Sequence, residues 1–334
     1  LAGSDENVAN MVRLLIDRYA CGPREGLRGK LKASPPVEYP EVGVFHPRMK
    51  GRISDQPSKL PAKKGATGTV GLLVMRSYVL AGNTGHYDGV IKALEARGLR
   101  VVPAFSSGLD ARPAVDKFFF RNGKCCVDAV VSLTGFSLVG GPAYNDAAAA
   151  QEVLARLDVP YLAAHPVEFQ TLEQWQDSER GLMPVEATMM VAIPELDGST
   201  GPIVFGGRSA TAGEDRTRDM QPHAERANTL AARVERLITL RQTPTAERKI
   251  AIVLFNFPPN AGNTGTAAYL SVFASLYRTL QGLKKEGYEV EVPESVDALR
   301  DRIILGNAGR YGAHANVFTR IPSDDHVRRE AYLA

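Results

Sequence analysis

The pentapeptide AGNTG occurs at 81–85 and, letter for letter, at 261–265. Each copy follows an apolar run and precedes a segment with apolar residues at helical spacing. This is the junction of a parallel strand with a helix, the edge at which open α/β sheets hold ligands. The glycines open backbone conformations closed to other residues, and Asn and Thr can cap the helix and turn amide N–H groups outward. Gly82, Asn83, Thr84 and Gly85, with Gly262, Asn263, Thr264 and Gly265, are thus candidate contacts for a carboxylate or phosphate. The alternative for either copy is a tight turn with a capped helix and no ligand. Two identical copies favour binding, because turn geometry alone tolerates other residues. Neither copy matches the GxGxxG pattern or a P-loop, so a dinucleotide or nucleoside-triphosphate site is not indicated.

The copies differ at the next position, His86 in the first and Thr266 in the second. A His in the first turn of a helix, with Asp88 nearby, could accept protons or ligate a metal; the other reading is a surface or cap residue. Glu294 is a second candidate base and metal ligand, following the predicted strand 288–293, although Pro293, Glu294 and Ser295 could equally open a helix. Arg76 and Arg208 lie at predicted strand ends, where a guanidinium could bind a carboxylate bidentately. Phe136, Phe255, Phe257 and Tyr87 could offer a flat aromatic wall, or simply core. His165, with Glu168 close behind it, reads as structural.

The elements that must carry these residues follow an α/β grammar. Residues 69–75, TVGLLVM, form an apolar run bounded by Gly, as a strand buried on both faces should be. The first AGNTG, a helix ended by Gly98 and the strand 99–103 complete a βαβ unit. The order returns with an apolar strand at 250–255, the second AGNTG, a helix ended by Gly287 and the strand 288–293. Between them, strands are expected at 127–133, 159–163, 185–193 and 203–205, with helices at 147–157 and 225–240. The predicted fold is α/β: doubly wound, mostly parallel Rossmann-like sheets in two related units. Residues 1–66 read as the end of a preceding helical region and a proline-rich connection, 67–248 as the first α/β domain, and 249–334 as the start of a second. The chain reads as a piece of something larger.

With 334 residues, 44% hydrophobic and 23% charged, the composition is that of a globular protein with room for about two domains. A net charge of +3, scattered along the chain, does not point to nucleic acid. Cys21 stands apart from the adjacent Cys125 and Cys126, which gives neither a disulfide framework nor a CxxC metal spacing and fits a reduced, cytoplasmic setting. No apolar run reaches the roughly 18 residues of a membrane span.

The string from Arg76 to Pro103, RSYVLAGNTGHYDGVIKALEARGLRVVP, resembles the large subunit of magnesium chelatase and of its cobalt-inserting relatives in cobalamin synthesis. The strings at 130–143, 157–171, 194–208 and 255–273 are similar to the magnesium branch. The resemblance implies the porphyrin-binding subunit that inserts Mg²⁺ into protoporphyrin IX, in chlorophyll and bacteriochlorophyll synthesis for photosynthesis. It also implies two smaller motor subunits, one an ATPase, as partners. Such chemistry needs a base for two pyrrole protons, oxygen ligands for an ion that dehydrates reluctantly, an apolar wall and donors for the propionates. His86 with Asp88, Glu294, the phenylalanines, and the AGNTG amides with Arg76 could fill those roles in that order. Competing readings are a scaffold piece that docks the motor subunits, cobalt insertion, and a sugar- or nucleotide-dependent transferase of similar fold.

Overall fold

The computed structural model describes residues 3–141, 144–210, 219–256, 261–306 and 319–330. The chain divides into two compact units, Leu1–Thr239 and Leu240–Ala334.

The first unit opens with helix α1 (Asp5–Tyr19), strands β1 (Val42–Phe45), β2 (Ile53–Ser54) and β3 (Gly68–Leu73), helices α2 (Arg76–Leu80) and α3 (Gly85–Ala96), strand β4 (Leu99–Ser106) and helix α4 (Arg112–Phe118). A small hairpin of β5 (Phe120–Arg121) and β6 (Lys124–Cys125) leads to β7 (Ala129–Ser132), and a second, β8 (Gly140–Gly141) with β9 (Tyr144–Asn145), leads to α5 (Ala147–Leu157). Then come β10 (Tyr161–Thr171), α6 (Leu172–Gln176), α7 (Pro184–Glu186), a π-helical stretch over Ala187–Ala192, α8 (Ile193–Leu196), β11 (Thr200–Arg208), β12 (Met220–Pro222) and the long α9 (Ala224–Gln242).

Eight strands form one sheet in the order β12-β11-β10-β7-β3-β4-β1-β2. The five central strands, β11, β10, β7, β3 and β4, are parallel, whereas β12, β1 and β2 run antiparallel at the edges. The chain lays down β3, moves to β4 on one side, then crosses to β7 on the other. This reversal makes the carboxyl edge of the sheet the place for a ligand. Central strands covered on both faces need apolar side chains pointing both ways, and all of β7 is buried accordingly. One face packs Val70, Leu72, Val131 and Phe205 against Tyr87, Ile91 and Leu94 of α3 and Leu230 and Val234 of α9. The other packs Leu73, Val102 and Val130 against Val115 of α4 and Val153 and Leu157 of α5.

Two expectations are corrected. Residues 185–193, read as a strand, are helical. Their buried positions are Glu186, Met190 and, just beyond, Pro194, a four-residue spacing that places one stripe of a helix inward. The second unit holds α10 (Val272–Lys285), α11 (Val296–Ile304) and α12 (Ser323–Arg329), with no strand among its described residues. The expected strands 250–255 and 288–293 have no ladder to join there, and Val253 is 90% exposed. An apolar run becomes a strand only when a neighbour satisfies its backbone N–H and C=O groups.

Candidate functional site

The first AGNTG lies between α2 and α3, beyond the carboxyl end of β3. Gly82 turns the chain at a φ of +68°, which a side chain would resist. The expected caps are otherwise engaged. Asn83 Oδ1 accepts the backbone N–H of Met220 at 2.8 Å, which ties the loop to β12. Thr84 caps no amide; its Oγ1 accepts from Arg52 Nη2 at 2.7 Å and its hydroxyl donates to Asp88 Oδ2 at 3.3 Å. Glycine at 85 and 89 is required by packing: a Cβ on Gly85 would meet Met220 O at 2.7 Å, and one on Gly89 would meet Pro222 Cβ at 2.3 Å. The edge strand β12 can lie across the first turns of α3 only because both are glycine.

What remains open at this loop is a polar pocket among Arg52, Asn83, Thr84, Asp88, Asp219 and Gln221. Arg52, at a left-handed φ of +58°, places its guanidinium 5.2 Å from the Phe45 ring centroid and 3.0 Å from Asp88 Oδ2. Burial raises the Asp88 pKa, and Arg52 and Thr84 oppose that shift. Asp88 Oδ1 and Arg52 Nε are buried without a hydrogen-bond partner. One cation beside two carboxylates offers little net attraction for a bare carboxylate. The pocket suits a group that both donates and accepts.

His86 is not in this pocket. It is fully buried, tilted against Tyr87 at 3.8 Å between ring centroids, stacked on Phe205 at 5.6 Å and met edge-on by Tyr78 at 5.2 Å. Neither ring nitrogen has a hydrogen-bond partner, and burial pushes its pKa down to about 3. A neutral imidazole sealed among rings is a core residue in this conformation, which corrects its expected place as an open base and metal ligand. Among the described residues no group of three or more His, Cys, Asp and Glu side chains is placed to hold a metal. His165 is likewise buried and unpartnered, its pKa pushed to about 4 by burial.

Arg76 is also committed: Nε donates to Pro40 O at 2.9 Å and Nη2 to Tyr39 O at 3.2 Å, fastening the proline-rich segment to the start of α2. In the second unit, Ser295 caps α11 by accepting Ala298 N at 3.0 Å, so Glu294 stands just outside the helix, its carbonyl accepting from Tyr277 Oη at 3.4 Å. The second AGNTG does not repeat the first. Residues 261–263 make a 3₁₀ turn, Gly265 donates its N–H to Phe255 O at 2.8 Å and takes the positive φ that Gly82 takes in the first copy, and α10 starts only at Val272. Asn263 and Thr264 are half-buried in this turn and Gly262 is exposed. Phe257 lies outside the described residues.

At the ends of β10 and β11 stand Arg208 and Glu168, both noted in the sequence, together with Tyr78, which the sequence did not single out. Tyr78 of α2 donates its hydroxyl to Glu168 Oε1 at 2.9 Å, and the positive charge of Arg208 acts on the same phenol, opposing the rise in its pKa. Burial and Glu168 hold the Tyr78 phenol well above its ordinary pKa, so it stays a donor. Beneath it, the fully buried Glu186 accepts Glu168 N and Phe169 N, both at 3.3 Å, Met183 N at 3.0 Å and Gln170 Nε2 at 2.6 Å. The available signal was PVEF at 166–169, an acid immediately after an apolar strand; α2, which brings Tyr78 to it, left no periodic trace.

A family model described as CobN/Magnesium Chelatase matches residues 1–334. The H subunit of magnesium chelatase from Cereibacter sphaeroides is 51% identical over 347 residues, covering 100% of this chain and 29% of that protein. The corresponding protein of Rhodobacter capsulatus is 49% identical, covering 100% of this chain and 28% of that protein. The CobN subunit of aerobic cobaltochelatase from a Sinorhizobium species is 29% identical, covering 77% and 20%. Among solved structures, the catalytic subunit of cobaltochelatase from Mycobacterium tuberculosis superposes with a TM-score of 0.67 at 27% identity, covering 91% of this chain and 24% of that one. The chain thus spans under a third of the length of these relatives.

Proposed function

The chain belongs to the CobN/magnesium chelatase family, and from that membership we propose that it is part of the porphyrin-binding subunit that inserts Mg²⁺ into protoporphyrin IX in an ATP-dependent complex. The observation that carries this reading is the gap between branches: 51% identity to a magnesium-chelatase large subunit against 29% to the CobN subunit of a cobaltochelatase. The geometry is compatible with it. The sheet reverses strand order at β3, its carboxyl edge carries polar and ionisable groups, and no described helix is long and apolar enough to cross a membrane. The absence of a P-loop motif in this sequence accords with ATP being hydrolysed on a partner subunit.

The chemistry divides among groups in hand. Mg²⁺ keeps part of its water shell until late, and the pocket of Arg52, Asn83, Thr84 and Asp88 offers oxygen acceptors for such a shell together with a guanidinium for a polar substituent. Glu294 remains a proposed oxygen ligand on the second unit. His86 packs in the core against Tyr87 and Phe205, without exchanging protons itself. Titration of the full-length protein with deuteroporphyrin, read by quenching of its tryptophan fluorescence, tests the reading. Saturable binding is expected; absence of binding would leave the scaffold reading in its place.

A further inference from the structure

We propose that Glu168 is the proton acceptor for the pyrrole nitrogens during metal insertion, with Tyr78 as the residue that positions it; this rests on the chelation reading above. Metal insertion into a free-base macrocycle removes two N–H protons. The N–H bonding electrons stay on nitrogen, each proton passes to a carboxylate oxygen and then to water, and Mg²⁺ takes the nitrogens. Charge and atoms balance without any redox step. The acceptor must stand at the ligand edge of the fold, be reachable, be held rigidly and keep one oxygen for the proton.

Glu168 satisfies each condition. It closes the apolar part of β10 at the carboxyl edge and is half-buried, so a ligand can reach it. Its backbone is held by Glu186 of α7, whose buried carboxylate also grips Phe169 N and Gln170 Nε2. Oε1 is occupied by the Tyr78 hydroxyl of α2, and no hydrogen bond among the described residues engages Oε2. Arg208 at the end of β11 brings a positive charge to the group. The Tyr78 ring is itself fixed, edge-on to buried His86 at 5.2 Å and to Tyr87 at 6.2 Å. His86 cannot take the proton in its place, being sealed from solvent, and of the Asp88 oxygens Oδ2 is engaged by Arg52 and Thr84 while Oδ1 is buried. The groups facing Glu168 are therefore the Tyr78 phenol, the Arg208 guanidinium and the Glu186 carboxylate, with neutral His86 behind the phenol. Of His86, Asp88 and Glu168, it is Glu168 that combines access with an unoccupied oxygen.

The test is Glu168→Gln and Tyr78→Phe in the full-length protein, assembled with its partner subunits and supplied with ATP, Mg²⁺ and deuteroporphyrin. The Gln amide oxygen can still accept from Tyr78, so the fold is retained. The proposal expects kcat to fall by about 10²-fold or more, porphyrin affinity to stay within about threefold, and the acidic limb of the pH–kcat profile to vanish. Tyr78→Phe removes a donor to the carboxylate form and should move that limb to higher pH with the plateau rate within about tenfold. A Glu168→Gln assembly with kcat and pH profile unchanged, or with its loss wholly in porphyrin binding, overturns the inference while leaving the chelation reading intact. Failure of the unsubstituted assembly to metallate overturns both.

Discussion

Acidification from pH 7 to pH 5 should weaken the first unit through its buried histidines, and His86→Phe should remove about half of the loss that His86 and His165 contribute. His86 has its pKa pushed to about 3 and His165 to about 4, in both cases by burial. The unfolded chain, with ordinary imidazoles near 6.5, therefore binds more protons than the folded chain between those values. For a base with a depressed pKa, stability is complete above about pH 6.5 and falls as the pH drops toward the folded value. At pH 5 each unfolded imidazole lies about 1.5 pH units below its pKa and each folded one is still neutral. At about 1.4 kcal/mol per unit, the loss is about 2 kcal/mol per histidine and about 4 kcal/mol for the pair. Phe at 86 keeps the stack on Tyr87 and Phe205 and removes two ring nitrogens that have no partner. Urea unfolding followed by circular dichroism at pH 7 and pH 5 measures the difference, since every other titrating group is common to parent and variant. The variant should lose about 2 kcal/mol less than the parent between the two pH values. Equal losses, within about 0.5 kcal/mol, would refute the burial argument, as would a His86 titration near pH 6.5 in a proton NMR spectrum.

Three further outcomes follow from packing and hydrogen bonding. Gly89→Ala places a methyl 2.3 Å from Pro222 Cβ and should cost about 1–3 kcal/mol in thermal or urea unfolding, with hydrogen exchange rising first in β12. Glu186→Ala strips the acceptor from three backbone amides and should destabilise by about 3 kcal/mol or more, with Glu186→Gln losing less because one oxygen remains. Arg52→Ala and Arg52→Gly lose the same half-exposed ion pair, but only glycine is comfortable at a φ of +58°. The Gly variant should therefore be about 1 kcal/mol more stable than the Ala variant in urea unfolding; the reverse order would show that the turn is not strained.

Where one local force dominated, the sequence was legible. The helix over Ala147–Leu157 could be placed because alanine-rich helical spacing, an Asp146 cap and a left-handed Asp158 all agree. The apolar runs of β3 and β7 could be placed because central parallel strands need apolar residues on both faces. Legibility failed where tertiary context decides. Residues 185–193 are apolar enough for either structure, and the single inward stripe through Glu186, Met190 and Pro194 was hidden by apolar residues facing outward. The two AGNTG copies share every letter, yet β12 clamps the first and no strand among the described residues of the second unit clamps the other, so their glycines bend at different positions. His86 was placed on the correct helix turn but on the wrong side of it, because a first-turn position does not reveal which rings will close over it. The Tyr78–Glu168 pair joins residues ninety apart through a five-residue helix, and no local pattern records such a meeting.

That this chain is part of a machine that puts magnesium into a porphyrin is tested most directly by metallation itself. The full-length protein, its two partner subunits and ATP are given deuteroporphyrin with Mg²⁺ or with Co²⁺ in separate reactions, the magnesium product being followed by metalloporphyrin fluorescence and the cobalt product by absorbance. ATP-dependent formation of the magnesium product, with little cobalt product, is the expected result. Formation of the cobalt product alone, or of neither product despite tight porphyrin binding, would contradict it.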